Sequence, residues 1–167
     1  MALIDYQIKA IKDIYKELEK HKTRIMPVIV GKFALSVYTQ GMYPSNIISF
    51  LYPDIPLLQK VLKELGFKHE VGDIWTKGDV AVEISKKFEL IPTGTFNQIE
   101  AEGTIINVVS LEDLLIDMMS ECVEGDEIVC DIIKMLIKSY GDNINFHYIF
   151  QNLKDKRAVI KFKQFKA

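Results

Sequence analysis

The stretch from residue 28 to residue 50 limits the possible folds of this chain more than any other segment. A β-rich run, Met26–Val30, ends at Gly31, and the residues of Phe33–Thr39 are apolar at helical spacing. Asn46–Tyr52 is a second β-rich run, and its isoleucines and phenylalanine are typical of a central strand. The order therefore predicts a strand, a glycine turn, a short helix and a second strand.

An amphipathic helix is predicted before this stretch, and a helix and several short strands are predicted after it. One apolar stripe recurs at steps of four, three, four and three residues, and consists of Ile4, Ile8, Ile11, Tyr15 and Leu18. A helix opens at Pro53-Asp54 and ends at Gly66. Strands are predicted over residues 67–71, 74–76, 79–85 and 104–109, with a tight Lys77-Gly78 hairpin link, and an irregular loop with brief strand pairing over residues 88–103.

From Ser110 onwards the sequence predicts helices. Ser110-Leu111-Glu112-Asp113 is a capping-box start, in which the serine oxygen and the Asp113 carboxylate can satisfy exposed amide donors. One helix is predicted to run to about Glu121 and another to cover residues 126–140, with shorter helices after a break at residues 141–143. We therefore expect an α+β protein with two lobes packed as one globular unit. Residues 1–109 form a mixed β-sheet flanked by helices, and residues 110–167 form a C-terminal helical lobe.

Composition and charge argue against several classes of protein. The chain has 167 residues, 49% of them hydrophobic, and a net charge of −2, which suits one folded globular unit. Only Arg24 and Arg157 of the 21 basic residues are arginines, which argues against a dedicated nucleic-acid binder. No apolar run approaches the roughly 20 residues of a membrane span. The charge-rich N-terminus does not resemble a signal peptide, and Cys122 and Cys130 are interpreted as reduced, buried thiols, so a cytoplasmic location is expected.

Five short motifs occur in a characteristic order over residues 22–140. They are Gly31-Lys32, Ala34-Leu35, Ser45 with Ile47-Ile48-Ser49, Glu83 on a later strand, and Ser110–Leu114 at a helix start. This order resembles that of small nucleotidyltransferase-fold proteins of the uncharacterised and toxin–antitoxin-associated kind. Their corresponding motifs are Gly-Gly or Gly-Ser, an Ala-Leu helix, Thr-x-Asp-x-Asp, a third acid, and Ser-x-Glu-Asp-Leu. The resemblance implies a nucleotidyltransferase-like fold with a site at Gly31, Lys32, Ser49 and Glu83.

The same motifs lack the acids on which nucleotidyl transfer depends in this fold. Carboxylates at i and i+2 of a strand point to one face, where they and a third acid can hold two divalent cations. Ile47 offers no ligand, Ser49 offers only a neutral hydroxyl, and Glu83 is the one acid left in the motif. Lys32 replaces a small residue and can either crowd a triphosphate or bind its oxygens.

The sequence accordingly favours a non-catalytic nucleotidyltransferase-like protein that acts as a binding or regulatory module for a protein partner or its own copy, with no metal and no cofactor. One alternative is a divergent transferase that moves a nucleoside monophosphate from a Mg-NTP to RNA, protein or a small molecule, using Glu83 with Asp79 or Asp54. A second alternative is an α/β interaction domain unrelated to transferases.

Other reactive residue types are interpreted as structural. His21, His69 and His147 are distant in sequence and are not expected to form a metal site. Cys122 has no evident histidine partner for nucleophilic catalysis. The acids of residues 121–127 are interpreted as a solvated helix junction, and Trp75 as a core or edge anchor.

Overall fold

The computed structural model describes residues 2–86 and 96–167, and these divide into two compact units. The first contains residues 2–86 and 96–109, and the second contains residues 110–167. The helices of the first unit are α1 (Leu3–Lys20), α2 (Gly31–Tyr38) and α3 (Ile55–Glu64). Its strands are β1 (Val28–Val30), β2 (Ile47–Leu51), β3 (Lys68–His69), β4 (Ile74–Lys77), β5 (Val80–Ile84), β6 (Phe96–Ala101) and β7 (Thr104–Val109). The second unit contains α4 (Leu111–Val123), α5 (Glu127–Tyr140), a 3-10 turn (Gly141–Asn143), α6 (Phe146–Asn152) and α7 (Lys156–Lys166).

The seven strands form one mixed sheet in the order β3-β4-β5-β2-β1-β7-β6. β2 pairs antiparallel with β1 and parallel with β5, and β1 pairs parallel with β7. The predicted α+β class and mixed sheet are therefore confirmed. β2 thus lies between β1 and β5. The nucleotidyltransferase resemblance implies this strand order, whereas an unrelated α/β domain does not require it.

The core of the first unit lies against one face of this sheet. Ile48 and Phe50 of β2 are fully buried, as are Ile29 of β1, Val82 of β5 and Val108 of β7. Helix α2 contacts β1 and β2, whereas α1 contacts α3, β5 and β7. The predicted stripe of α1 is buried except at Ile4, which is exposed in the first turn. Each fully buried apolar side chain contributes about 1.5–3 kcal/mol of transfer free energy, so burial of this face stabilises the sheet.

A buried tyrosine connects α1 to two strands. The Tyr15 hydroxyl donates to the Pro27 carbonyl oxygen (2.7 Å), just before β1, and accepts from the Asn107 backbone N–H (3.0 Å) in β7. Burial raises the pKa of Tyr15 to about 12, although the Asn107 hydrogen bond opposes the shift. The hydroxyl is therefore held in its neutral form, which alone can both donate and accept.

A buried carboxylate organises the second unit. Ser110 Oγ accepts from the Asp113 backbone N–H (3.1 Å), which confirms the predicted helix start. The Asp113 carboxylate accepts from the hydroxyls of Ser110 (3.0 Å) and Tyr148 (2.7 Å), and thereby connects the start of α4 to α6. The sequence predicts that this carboxylate caps backbone amides, and the structure shows that it accepts hydrogen bonds from two hydroxyl groups.

Two boundaries differ from the sequence-based prediction. Residues 88–95 of the predicted loop lie outside the described residues, but Phe96–Ala101 is a six-residue strand that pairs with β7 along its whole length. The hairpin turns at Glu102 and Gly103, both with positive φ, so the alternating polar residues before it belong to a strand and not to a loop. In the β4–β5 hairpin Lys77 pairs with Val80, so the turn residues are Gly78 and Asp79, one position later than predicted.

The prediction of free thiols is wrong. Cys122 and Cys130 form a disulfide, although both are buried as expected. The short turn between α4 and α5 brings the two Cα atoms to 5.0 Å, within the range that a disulfide requires. The cysteines therefore no longer support the expected cytoplasmic location. Within the described residues, none of the helices is both long and apolar enough to cross a membrane.

The disulfide predicts a measurable redox dependence of stability. Reduction should lower the free energy of unfolding by about 2.5 kcal/mol, because the bond closes a short loop in the unfolded chain. Urea titration with and without dithiothreitol measures the difference, and the double variant Cys122→Ser/Cys130→Ser should show no response to the reductant. Two thiols per chain that react in unfolded, unreduced protein would contradict this pairing.

Tyr15 predicts a pH dependence on the alkaline side. Because its folded pKa exceeds the unfolded value of about 10, the folded state holds the proton more tightly and stability should fall as pH rises from about 10 towards 12. Tyr15→Phe should remove this contribution, and should cost about 1–3 kcal/mol at neutral pH by leaving two buried backbone groups without their partner. Tyr6→Phe, at an exposed tyrosine of the same helix, is the matched control. Equal alkaline slopes for wild type and Tyr15→Phe would refute the assignment.

Candidate functional site

The candidate site is centred on two facing residues of adjacent parallel strands. Ser49 of β2 and Glu83 of β5 are register partners, and Ser49 Oγ donates to Glu83 Oε1 at 3.3 Å. Both residues are half-buried. Paired residues of neighbouring strands point to the same side of the sheet, so both side chains face away from the buried layer that contains Ile48 and Phe50.

Gly31 lies against this pair. It begins α2 with a left-handed φ of +66°, and a Cβ at this position would lie 3.9 Å from both Cβ and Oγ of Ser49. The turn from β1 into α2 therefore passes directly over Ser49, which is the placement that the motif order predicts for the glycine. Lys32 follows in the first turn of α2 and is exposed. The structure thus brings together Gly31, Ser49 and Glu83, with Lys32 next in sequence.

The donor set of this face does not fit a two-metal centre. Ile47 lies on the same side of β2 as Ser49 and pairs with Ala81, so the two positions beside the serine–glutamate pair contribute only hydrocarbon. Mg²⁺ prefers several oxygen ligands and is usually bound through carboxylates, of which Glu83 is the only one among these four residues. The Ser49 hydroxyl is neutral and already donates to that carboxylate.

The two acids considered as substitutes lie elsewhere. Asp54 is exposed and is the N-cap of α3, where Oδ1 accepts from the Leu57 backbone N–H at 3.1 Å. Asp79 lies in the β4–β5 turn, and the strand distance from Val80 to Glu83 alone is about 10 Å. Asp79 instead lines a cleft of about 340 Å³ that also contains Tyr6, Lys9, Asp13 and Lys77.

Most of the remaining candidates have structural contacts. The ring of His69 stacks on Trp75 with a centroid distance of 4.7 Å, and His147 is exposed on α6. Trp75 is buried, in agreement with its interpretation as an anchor. In the acidic segment, Asp126 caps α5 and Glu124 pairs with Arg157 at 3.1 Å, which fits a solvated helix junction.

Sequence reasoning missed one cluster of possible ligands. Glu17, His21 and Glu64 each place one ligand atom within 4.8 Å of the others. Glu17 precedes His21 by four residues at the end of α1, and this helical spacing is the one signal in the sequence that points to the cluster. Glu64 comes from a distant segment, so only the fold could reveal its proximity.

Comparison with known proteins identifies the class of fold. No family model matches the chain, and no curated protein sequence is significantly similar to it. The structure is similar to a crystal structure of ANT(2'')-Ia in complex with adenylyl-2''-tobramycin, with a TM-score of 0.63, 13% sequence identity, and coverage of 96% of this chain and 97% of that chain. It is also similar to a solution structure of the antibiotic-resistance factor ANT(2'')-Ia, with a TM-score of 0.62, 13% identity, and coverage of 97% and 92%.

These similarities show that the chain has a nucleotidyltransferase-like fold. ANT(2'')-Ia is an aminoglycoside nucleotidyltransferase. At 13% identity the likeness shows the fold alone.

The left-handed φ of Gly31 predicts a backbone cost of substitution. Gly31→Ala should destabilise the protein by about 1–2 kcal/mol, because an L-residue with a Cβ is strained at this left-handed φ. Gly141→Ala is the control, since its φ is −44° and an added Cβ meets no described atom within 4 Å. Urea denaturation of the two variants measures the difference, and equal stabilities would argue against a left-handed turn over Ser49.

Proposed function

We propose that this chain is a non-catalytic nucleotidyltransferase-like protein that acts as a binding or regulatory module. The observation that carries the proposal is the Ser49–Glu83 pair. It occupies the position where the fold would hold metal ligands, with a neutral hydroxyl in place of one carboxylate and Ile47 in place of the other. One acid cannot supply the shared ligands of two metal ions that lie about 3.5–4 Å apart.

The Ser49 hydroxyl and the Glu83 carboxylate also form a hydrogen bond with each other that needs no added cation. Glu83 accepts a hydrogen bond from Ser49, and both are partly shielded from water. A second carboxylate in place of the hydroxyl would require a positive counter-charge, whereas the hydroxyl needs none. The proposed function accordingly uses no cofactor at this pair.

The proposed partner is another protein or a second copy of this chain. Phe96 and Ile105, on β6 and β7, are 44% and 60% exposed, and β6 is the last strand in the order of described strands. Exposed apolar side chains on a terminal strand and its neighbour are typical of surfaces that pair with another chain. The resemblance to toxin–antitoxin-associated proteins supports a protein partner, and the scarcity of arginine disfavours nucleic acid.

A divergent transferase is the second candidate, because the similarity to ANT(2'')-Ia extends over 96% of the chain and includes the helical unit. In that case the protein would move a nucleoside monophosphate from a Mg-NTP to RNA, protein or a small molecule, and Glu83 would be essential. An aminoglycoside such as tobramycin is one acceptor to include in a transfer assay.

Calorimetric titration with Mg-ATP and the other nucleoside triphosphates tests the proposal. No micromolar, Mg²⁺-dependent binding is expected, because Ile47 and Ser49 provide no charge for the metal. Binding that disappears in Glu83→Ala but persists in Glu100→Ala, at an exposed strand acid, would overturn it. Transfer of label from a nucleotide to an acceptor with the same dependence on Glu83 would establish the second candidate.

A further inference from the structure

Three potential metal ligands converge in the first unit, away from the Ser49–Glu83 pair. Glu17 and His21 lie near the end of α1, Glu64 is the last residue of α3, and His21 Nε2 lies 2.7 Å from Glu64 Oε1. We propose that this His–Glu–Glu cluster binds a divalent transition-metal ion of the zinc class and joins the ends of α1 and α3.

The fold preorganises these three ligands. Residues four apart on a helix share a face, so Glu17 and His21 point the same way. The side chains of Glu17 and His21 are only 17% and 22% exposed, and that of Glu64 is 37% exposed. Two ligands are therefore held by packing, while the third leaves an opening through which an ion and a water molecule can enter.

The electrostatics of the cluster favour a cation. His21 is the C-cap of α1 and Glu64 ends α3, so the C-termini of two helices meet beside two carboxylates. Each C-terminus carries a partial negative charge. Lys20 pairs with Glu17 at 3.3 Å, but the Lys20 side chain is 73% exposed, so this ion pair lies largely in solvent. A divalent ion would neutralise both carboxylates at once, which a protonated His21 facing Glu64 does not.

The ligand types select the class of ion. Imidazole nitrogen together with carboxylate oxygen suits zinc, cobalt and nickel, whereas magnesium and calcium prefer oxygen alone. Ligand atoms around tetrahedral zinc lie about 3.4 Å apart, given bonds of about 2.0–2.1 Å. The three ligand atoms lie within 4.8 Å of one another, so small side-chain rotations can bring them to this spacing. A water molecule would fill the fourth position.

Titration of the chelator-treated, disulfide-intact full chain tests the site. Zn²⁺ should bind with one-to-one stoichiometry by calorimetry, and Co²⁺ should give the intense visible absorption of tetrahedral coordination. Glu17→Gln, His21→Gln and Glu64→Gln should each weaken Zn²⁺ binding at least about tenfold. His147→Gln, at a histidine of α6 in the second unit, should leave the affinity unchanged.

Glu17→Gln separates a metal site from a simple ion pair, because Glu17 does not take part in the His21–Glu64 contact. Loss of Zn²⁺ affinity in this variant, with an unchanged circular dichroism spectrum, supports the proposal. Absence of Zn²⁺ binding to the wild-type chain overturns it, as does binding that survives both Glu17→Gln and Glu64→Gln. The Zn²⁺-induced rise in Tm should disappear in the same variants that lose affinity.

Discussion

The parallel pairing of β2 with β5 is the constraint on which the rest of the first unit depends. It aligns Ile48 with Val82 on the buried side and Ser49 with Glu83 on the other. Because side chains alternate along a strand, a slip of one residue would move Ser49 into the core and expose Phe50. The hydrophobic face therefore fixes the register, and the register in turn brings Ser49 and Glu83 into contact.

The same register explains how the fold can be complete while, as we propose, the set of metal ligands is not. The stability of the sheet comes from the buried residues, which include Phe50 and Ile29. The positions that would hold metal lie on the opposite side, where Ile47 and Ser49 can replace acids without disturbing the core. The proposed binding role and the proposed absence of transfer chemistry are therefore compatible with this architecture.

The sequence predicts elements whose signal lies in one segment. The stripe of α1, the β2 run and the Ser110 helix start each carry their own periodicity or cap, and all three are confirmed. The prediction of an irregular loop with only brief strand pairing understates β6, because the turn at Glu102-Gly103 lets β6 pair with β7 along its whole length. Contacts between distant segments leave no local signal: Ser49 with Glu83 could be inferred only through a family resemblance, and His21 with Glu64 could not be inferred at all. The disulfide between Cys122 and Cys130 could not be predicted either, because it depends on the turn that brings the ends of α4 and α5 together.

Helix α1 lies outside the glycine–helix–strand motif, yet it holds the segments that lead into both central strands. Gln7 is buried and donates to the Ser45 carbonyl oxygen (2.7 Å) just before β2, and Tyr15 donates to Pro27 just before β1. Each bond satisfies a carbonyl that would otherwise be costly to bury, and each acts at the point where a strand begins. If His21 joins α3 through a metal ion, α1 is fixed at a third position. The placement of Gly31 over Ser49 thus depends on polar contacts made by a helix that contributes no residue to the site.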